Sequence, residues 1–227
     1  MRTTTAVSDA GRTFLRFLKQ GVFTLFIGSL LMVVAGCNED ISLPLPGGTI
    51  CAPYSFAYTP ATGATASTTG TIPPFLLWAP TGFGLSGTPT GADFGTFNVA
   101  VSGTYPGAWF TTTWSATGTI TIPPPSGSYT PGVFTLPIST STASPPVASG
   151  TVTLTVIPAC TYTVTLTTND PTLTFNTATV NTNASGIGSF TITTKATTER
   201  DSTVTATITS RSTPPSTATT AVKVRVR

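Results

Sequence analysis

Beyond residue 50 the chain is written in twos. Phe97, Val99 and Val101 alternate with polar neighbours, as do Phe134, Leu136 and Ile138. The segment 151–156 reads Thr-Val-Thr-Leu-Thr-Val, and Tyr162, Val164 and Leu166 continue the pattern beyond Cys160. Phe190 with Ile192, then Val204, Ala206 and Ile208, then Val222, Val224 and Val226 follow the same rule, with Lys223, Arg225 and Arg227 on the opposite side of the last run. Successive side chains of a strand point to opposite faces, so each run predicts a strand with one face in a core and one in water. Pro137 within the second run predicts a sheet edge, because proline cannot donate to a ladder. No helical period competes, and proline and glycine recur too often for long helices. Short strands separated by turn residues predict an all-β protein built of sandwiches.

The first 36 residues follow a different rule. Arg2, Arg12, Arg16 and Lys19 precede an apolar stretch, Gly21 to Gly36, interrupted only by Thr24 and Ser29. Basic flank and short apolar core predict a secretory signal rather than a spanning helix. The stretch ends in Val34-Ala35-Gly36-Cys37, which resembles the lipobox of bacterial lipoproteins. That resemblance implies cleavage before Cys37, acylation of its sulfur and attachment to a lipid bilayer. Two or more acyl chains suffice for stable anchoring, at about 0.8 kcal/mol per buried methylene. Asn38 after the cysteine is compatible with the outer membrane of a Gram-negative cell, and the leaflet faced stays open. Residues 37–50, with Asn38-Glu39-Asp40 and the Leu43-Pro44-Leu45-Pro46-Gly47-Gly48 run, are expected to form a tether.

Two further resemblances concern the sandwiches. Residues 82–103, GFGLSGTPTGADFGTFNVAVSG, resemble the cadherin-like, Ig-type repeats of bacterial surface proteins, through Leu85 to Thr90, Gly95, and the Phe97–Val101 strand. Residues 176–209 resemble the later strands of invasin-type bacterial Ig-like domains, through the Asn183-Ala184-Ser185-Gly186 turn and the strands around Phe190 and Val204. The implied fold is a tandem of immunoglobulin-like β-sandwiches. We place one at residues 51–160 and a second at 161–227, the competing boundary being the Pro123-Pro124-Pro125 run, which would put Cys160 in the second unit. Export to an oxidising compartment makes a Cys51–Cys160 disulfide the natural pairing, two buried thiols being the alternative.

Charge changes the picture by its scarcity. The chain has 10 Lys and Arg and 7 Asp and Glu, but four of those cations and one acid precede Cys37, leaving six of each sign. Between Ile41 and Asn169 the one charged residue is Asp93. A nucleic-acid surface needs clustered cations, so that partner is not expected. Threonine fills the gap at about a quarter of the residues from Cys37 onward. Being β-branched, it suits strands while offering water a hydroxyl.

Candidate chemistry is sparse. The chain lacks histidine, which removes Ser-His-Asp and Cys-His constellations and most zinc sites. Glu199 and Asp201 flank Arg200 in an expected charged turn. Asn169-Asp170-Pro171 resembles part of the cadherin calcium linker, but the Asp-x-Asp and Asp-Arg-Glu elements are missing, and no metal or cofactor is assigned. Gly82-Phe83-Gly84-Leu85-Ser86-Gly87 fits a dinucleotide fingerprint in letters only, because a turn follows instead of a helix. Trp109, Phe110 and Trp114 are the candidate binding aromatics, for glycan or protein; core filling is their other reading. The expectation is a non-catalytic envelope lipoprotein for adhesion or protein interaction, with carbohydrate binding or a structural spacer as alternatives.

Overall fold

A computed structural model describes residues 39–59, 63–67, 70–79, 83–106, 111–138 and 147–227. The expected signal segment, Cys37, Trp109 and Phe110 lie outside the described residues. Every regular element among those described is a strand.

The first sandwich uses β1 (Glu39–Ser42), β2 (Tyr54–Ala57), β3 (Thr65–Ser67), β4 (Leu76–Ala79), β5 (Gly84–Gly87), β6 (Gly95–Pro106) and β7 (Thr111–Ile122). One sheet has the order β1-β7-β6-β3 and the facing sheet β2-β5-β4. The second sandwich uses β8 (Ser126–Thr130), β9 (Val133–Leu136), β10 (Ala148–Ile157), β11 (Thr163–Thr168), β12 (Leu173–Phe175), β13 (Thr179–Asn181), β14 (Ile187–Thr194), β15 (Arg200–Thr209) and β16 (Thr217–Val226). Its sheets run β12-β14-β10-β8 and β13-β11-β15-β16-β9. The fold is thus all-β, two immunoglobulin-like sandwiches in tandem. In each unit an early strand lies parallel to the last one, β1 on β7 and β9 on β16, while the other pairings are antiparallel.

Two expectations about organisation need correction. The units divide at Pro123-Pro124-Pro125, not after Cys160, because β8 and β9 pair with β10 and β16 of the second unit. Three successive prolines offer no ladder donors, so neither unit's sheet continues through them. The segment expected to be a tether also belongs to the first unit. The backbone of β1 takes the edge of β7, from Glu39 opposite Trp114 to Ser42 opposite Thr117. Leu43 and Ile50 are buried, and Gly48 N–H donates to the Thr121 carbonyl. An open sheet edge of unpaired backbone groups is thereby covered.

The alternating positions fill the core as expected. Val99, Val101, Val152, Leu154, Val156, Val164, Ile192, Val204, Val222, Val224 and Val226 are all buried. The opposite faces carry hydroxyls in register. Thr179, Thr165, Thr207 and Thr219 form one row across β13, β11, β15 and β16. Pro137 follows β9, an edge strand, as anticipated.

Candidate functional site

The first sandwich has two specialised ends. One meets the second unit. There Cys51 and Cys160 form a disulfide, with Cα atoms 6.0 Å apart. Asp93 lies in the turn between β5 and β6, where its Oδ2 accepts from Thr90 N–H at 2.8 Å and from Thr90 Oγ1 at 2.7 Å. Arg211, in the turn between β15 and β16, completes the shell: Nε donates to Oδ1 at 3.1 Å and Nη2 to Oδ2 at 2.7 Å. Asp93 is fully buried, whereas the Arg211 side chain stays about half exposed. A two-pronged guanidinium on a carboxylate fixes orientation as well as charge. Arg211 N–H also donates to the Ala92 carbonyl at 2.8 Å.

Two glycines permit this approach. A Cβ on Gly91 would stand 2.3 Å from the Thr161 carbonyl oxygen, and one on Gly95 would stand 2.6 Å from Ser212 Oγ. Gly95 also has φ +103°, a backbone region that disfavours side chains. Behind it Ser210, Ser212 and Ser216 satisfy one another, with Ser210 Oγ 2.6 Å from Ser212 Oγ and Ser216 N–H donating to Ser210 Oγ at 2.8 Å.

The other end is aromatic. Rings of Trp78 and Phe83 sit 6.2 Å apart, Phe83 and Trp114 6.0 Å, and Tyr105 and Trp114 6.4 Å. Trp114 Nε1 donates to the Thr65 carbonyl at 3.2 Å, and Gly103 gives the indole its seat. With 1 % exposure Trp114 is core, which corrects its candidacy as a stacking surface. Inward alternation along β7, shared with Ala116 and Ile120, decides its direction. The other candidate binding aromatics, Trp109 and Phe110, lie outside the described residues. On the outer face of β4, Leu77 is 75 % exposed and Ala79 is also exposed.

Two further acids, Asp170 and Asp201, are engaged within the second unit. Asp170 is buried and accepts from Ser202 Oγ at 2.6 Å and from Thr172 Oγ1 at 2.7 Å and N–H at 2.9 Å, with Arg200 Nη1 at 3.5 Å. Burial raises this carboxyl, but the Ser202 and Thr172 hydrogen bonds and the Arg200 charge outweigh it and hold it below its ordinary value. Asp201 pairs with Arg227 on the surface. Thus Asp170, Glu199 and Asp201 do not converge: no group of three or more potential metal ligands occurs among the described residues. An open groove of about 570 Å³ runs beside β1 and is lined by Leu43, Leu45, Thr71, Asn98, Thr117 and Thr119 among others, none of them titratable. Sequence reasoning gave Asp93 no role; its isolation as the lone charge across the 129 positions from Ile41 to Asn169 was the available signal.

No family model matches the chain, and no curated protein matches it. Among solved structures it is similar to an endo-fucoidan hydrolase of glycoside hydrolase family 107 (13 % identity, TM-score 0.30), covering 83 % of this chain and 28 % of that one. It is similar to domains 1–6 of the surface layer protein SbsC (16 %, 0.31), covering 73 % and 20 %. The D00-D0 domain of intimin gives 14 % and 0.28, covering 83 % and 96 %. The chain therefore spans under a third of the first two. At these scores the likenesses carry no argument about activity.

Proposed function

We propose that the chain is an exported, lipid-anchored envelope protein whose two immunoglobulin-like sandwiches present a surface for adhesion or protein interaction, without catalysis. The observation that supports this best is the junction: a disulfide and a buried Asp93–Arg211 pair join the units end to end. Such a construction holds a distal surface at a fixed distance from its base. The carboxylates Asp93 and Asp170 are consumed in holding the fold, which leaves them no free role in acid–base chemistry. Acylation of Cys37 supplies the base, through the lipobox at Val34–Cys37.

Metabolic labelling with tritiated palmitate and fractionation of Cys37→Ser test the anchor. Loss of label and release from the membrane are expected; unchanged retention would remove the lipoprotein reading. Protease added to intact cells separates surface from periplasmic exposure. The same junction also favours a spacer role, in which the protein positions a partner rather than binding a foreign surface. Ordered self-assembly of the purified protein would select that reading over adhesion.

A further inference from the structure

We infer that the groove at the junction of the two sandwiches binds a neutral saccharide of one or two rings. The inference rests on the interaction reading above and gives it a ligand class. The groove measures about 330 Å³, within the range of small-ligand sites, which favour domain interfaces. The turn Thr90–Ala92 of the first unit forms one wall; Thr161, Thr163, Thr209 and Arg211 of the second form the other. The disulfide and the Asp93–Arg211 pair hold both walls in place, so a ligand has little left to order.

Polar groups that the fold leaves unused supply the recognition. Asp93 holds the Arg211 guanidinium through Nε and Nη2, and Nη2 also donates to Thr90 Oγ1. The two hydrogens on Nη1 have no acceptor among the described residues, and the side chain is 51 % exposed. Thr161 and Thr209 are exposed, and their hydroxyls make no hydrogen bond among the described residues. Thr163 Oγ1 donates to Asn181 Oδ1 at 3.1 Å and so can still accept. Thr163 and Thr209 stand on adjacent strands, one row beyond the Thr165–Thr207 pair, with Cβ atoms roughly 5 Å apart. Fixed donors interleaved with hydroxyls suit a sugar ring, whose hydroxyls each donate and accept. The ligand is neutral because the site is: Asp93 compensates Arg211. On β15 and β16 the next charged residue is Lys223, opposite Thr203. It lies roughly 20 Å from Thr209 along the strands at 3.3 Å per residue, about two Debye lengths at physiological salt. An anion would gain one guanidinium edge and meet the Asp93 carboxylate behind it. None of the lining residues is aromatic, so no ring stacks on the sugar and the expected Kd is on the order of a millimolar.

The test uses the full-length protein in phosphatidylcholine vesicles and saturation-transfer difference NMR, with empty vesicles as the blank. Maltose, cellobiose, chitobiose and mannobiose are the neutral probes, and digalacturonate is the acidic one. At least one neutral sugar is expected to give saturable transfer, and digalacturonate none stronger. Thr161→Val with Thr209→Val keeps the β-branched shape and removes two hydroxyls. Circular dichroism and Tm should match the native protein while binding weakens about tenfold or more. Silence from all four neutral sugars, tighter binding of digalacturonate, or transfer unchanged in the folded variant would each overturn the inference. Adherence to immobilised glycoprotein is scored separately, on cells with and without the chain. Adherence that needs the chain while the sugar arm fails removes the groove and leaves the interaction reading standing; adherence indifferent to the chain removes that reading itself.

Discussion

Asp93 and Asp170 are buried carboxylates with different duties. Asp93 joins two units through Arg211; Asp170 ties the turn before β12 to Ser202 and Arg200 within one. Removing one partner of a buried pair strands the other, which costs more than the pair contributes. Arg211→Ala leaves Asp93 with Thr90 alone, and a loss of about 2–3 kcal/mol is expected, discounted because the arginine is half exposed. Urea unfolding measures it, and Arg211→Lys should recover only part, since an ammonium cannot make the two-pronged contact. For Asp170 the folded carboxyl is held below its ordinary value. Its contribution is therefore complete above about pH 4, the unfolded value, and is lost as pH falls through the folded one. Asp170→Asn should lower Tm at pH 7 yet flatten its acid limb. An unchanged acid limb would assign the acid sensitivity to other carboxylates. Two tyrosines carry the opposite sign: burial pushes Tyr129 and Tyr162 up to about 12, so the stability they contribute is full below pH 10 and fades as pH rises toward 12.

Among the strands, close approach sets the limits. Gly103 on β6 faces both β3 and the Trp114 indole: an added Cβ would lie 1.9 Å from the Thr65 carbonyl oxygen and 2.5 Å from the ring. Gly103→Val should detach β3, break the Trp114 Nε1 bond and cost about 2–3 kcal/mol. A red-shifted tryptophan emission together with a lower urea midpoint would show it, and unaltered emission would mean the edge strand adapts. Strands of this kind were legible in advance, because period-two alternation in β6, β10, β15 and β16 is a direct imprint of the two faces of a sheet. β1 and β3 were not. Glu39–Ser42 contributes backbone hydrogen bonds to an edge and so needs no apolar alternation, while β3 has three residues, too few to display a period. Trp114 shows the same limit at one position. Its place on the inward face of β7 follows from register, but the letters around it, TTTWSATG, are compatible with either face until Ile120 and Ile122 fix the phase.

At the scale of the whole molecule, the sequence pointed to two units and to the pairing of Cys51 with Cys160, yet misjudged what that pairing joins. A cysteine pair at the ends of a stretch suggests a clasp within one domain. Here the proline run intervenes, and β8 to β10 belong to the second unit, so the same bond becomes a staple between units. That distinction has a measurable consequence. A clasp inside one sandwich would affect its folding; a staple between folded sandwiches constrains their orientation as well. In the chain-entropy view, opening a loop of 109 residues removes about 4–5 kcal/mol of stabilisation. With Cys51→Ser and Cys160→Ser combined, each sandwich should keep its sheet signal in circular dichroism, because its own core is intact. Small-angle scattering should show a broader distribution of overall length than the native protein while Arg211 still holds Asp93, and the broadest when Arg211→Ala is added. If the triple variant scatters like the native protein, the proline-flanked linkage and the Gly91–Tyr162 contact fix the geometry without either staple. If the double variant loses its sheet signal as well, the two cores are one cooperative unit, and the disulfide stabilises a single folded body that includes both sandwiches.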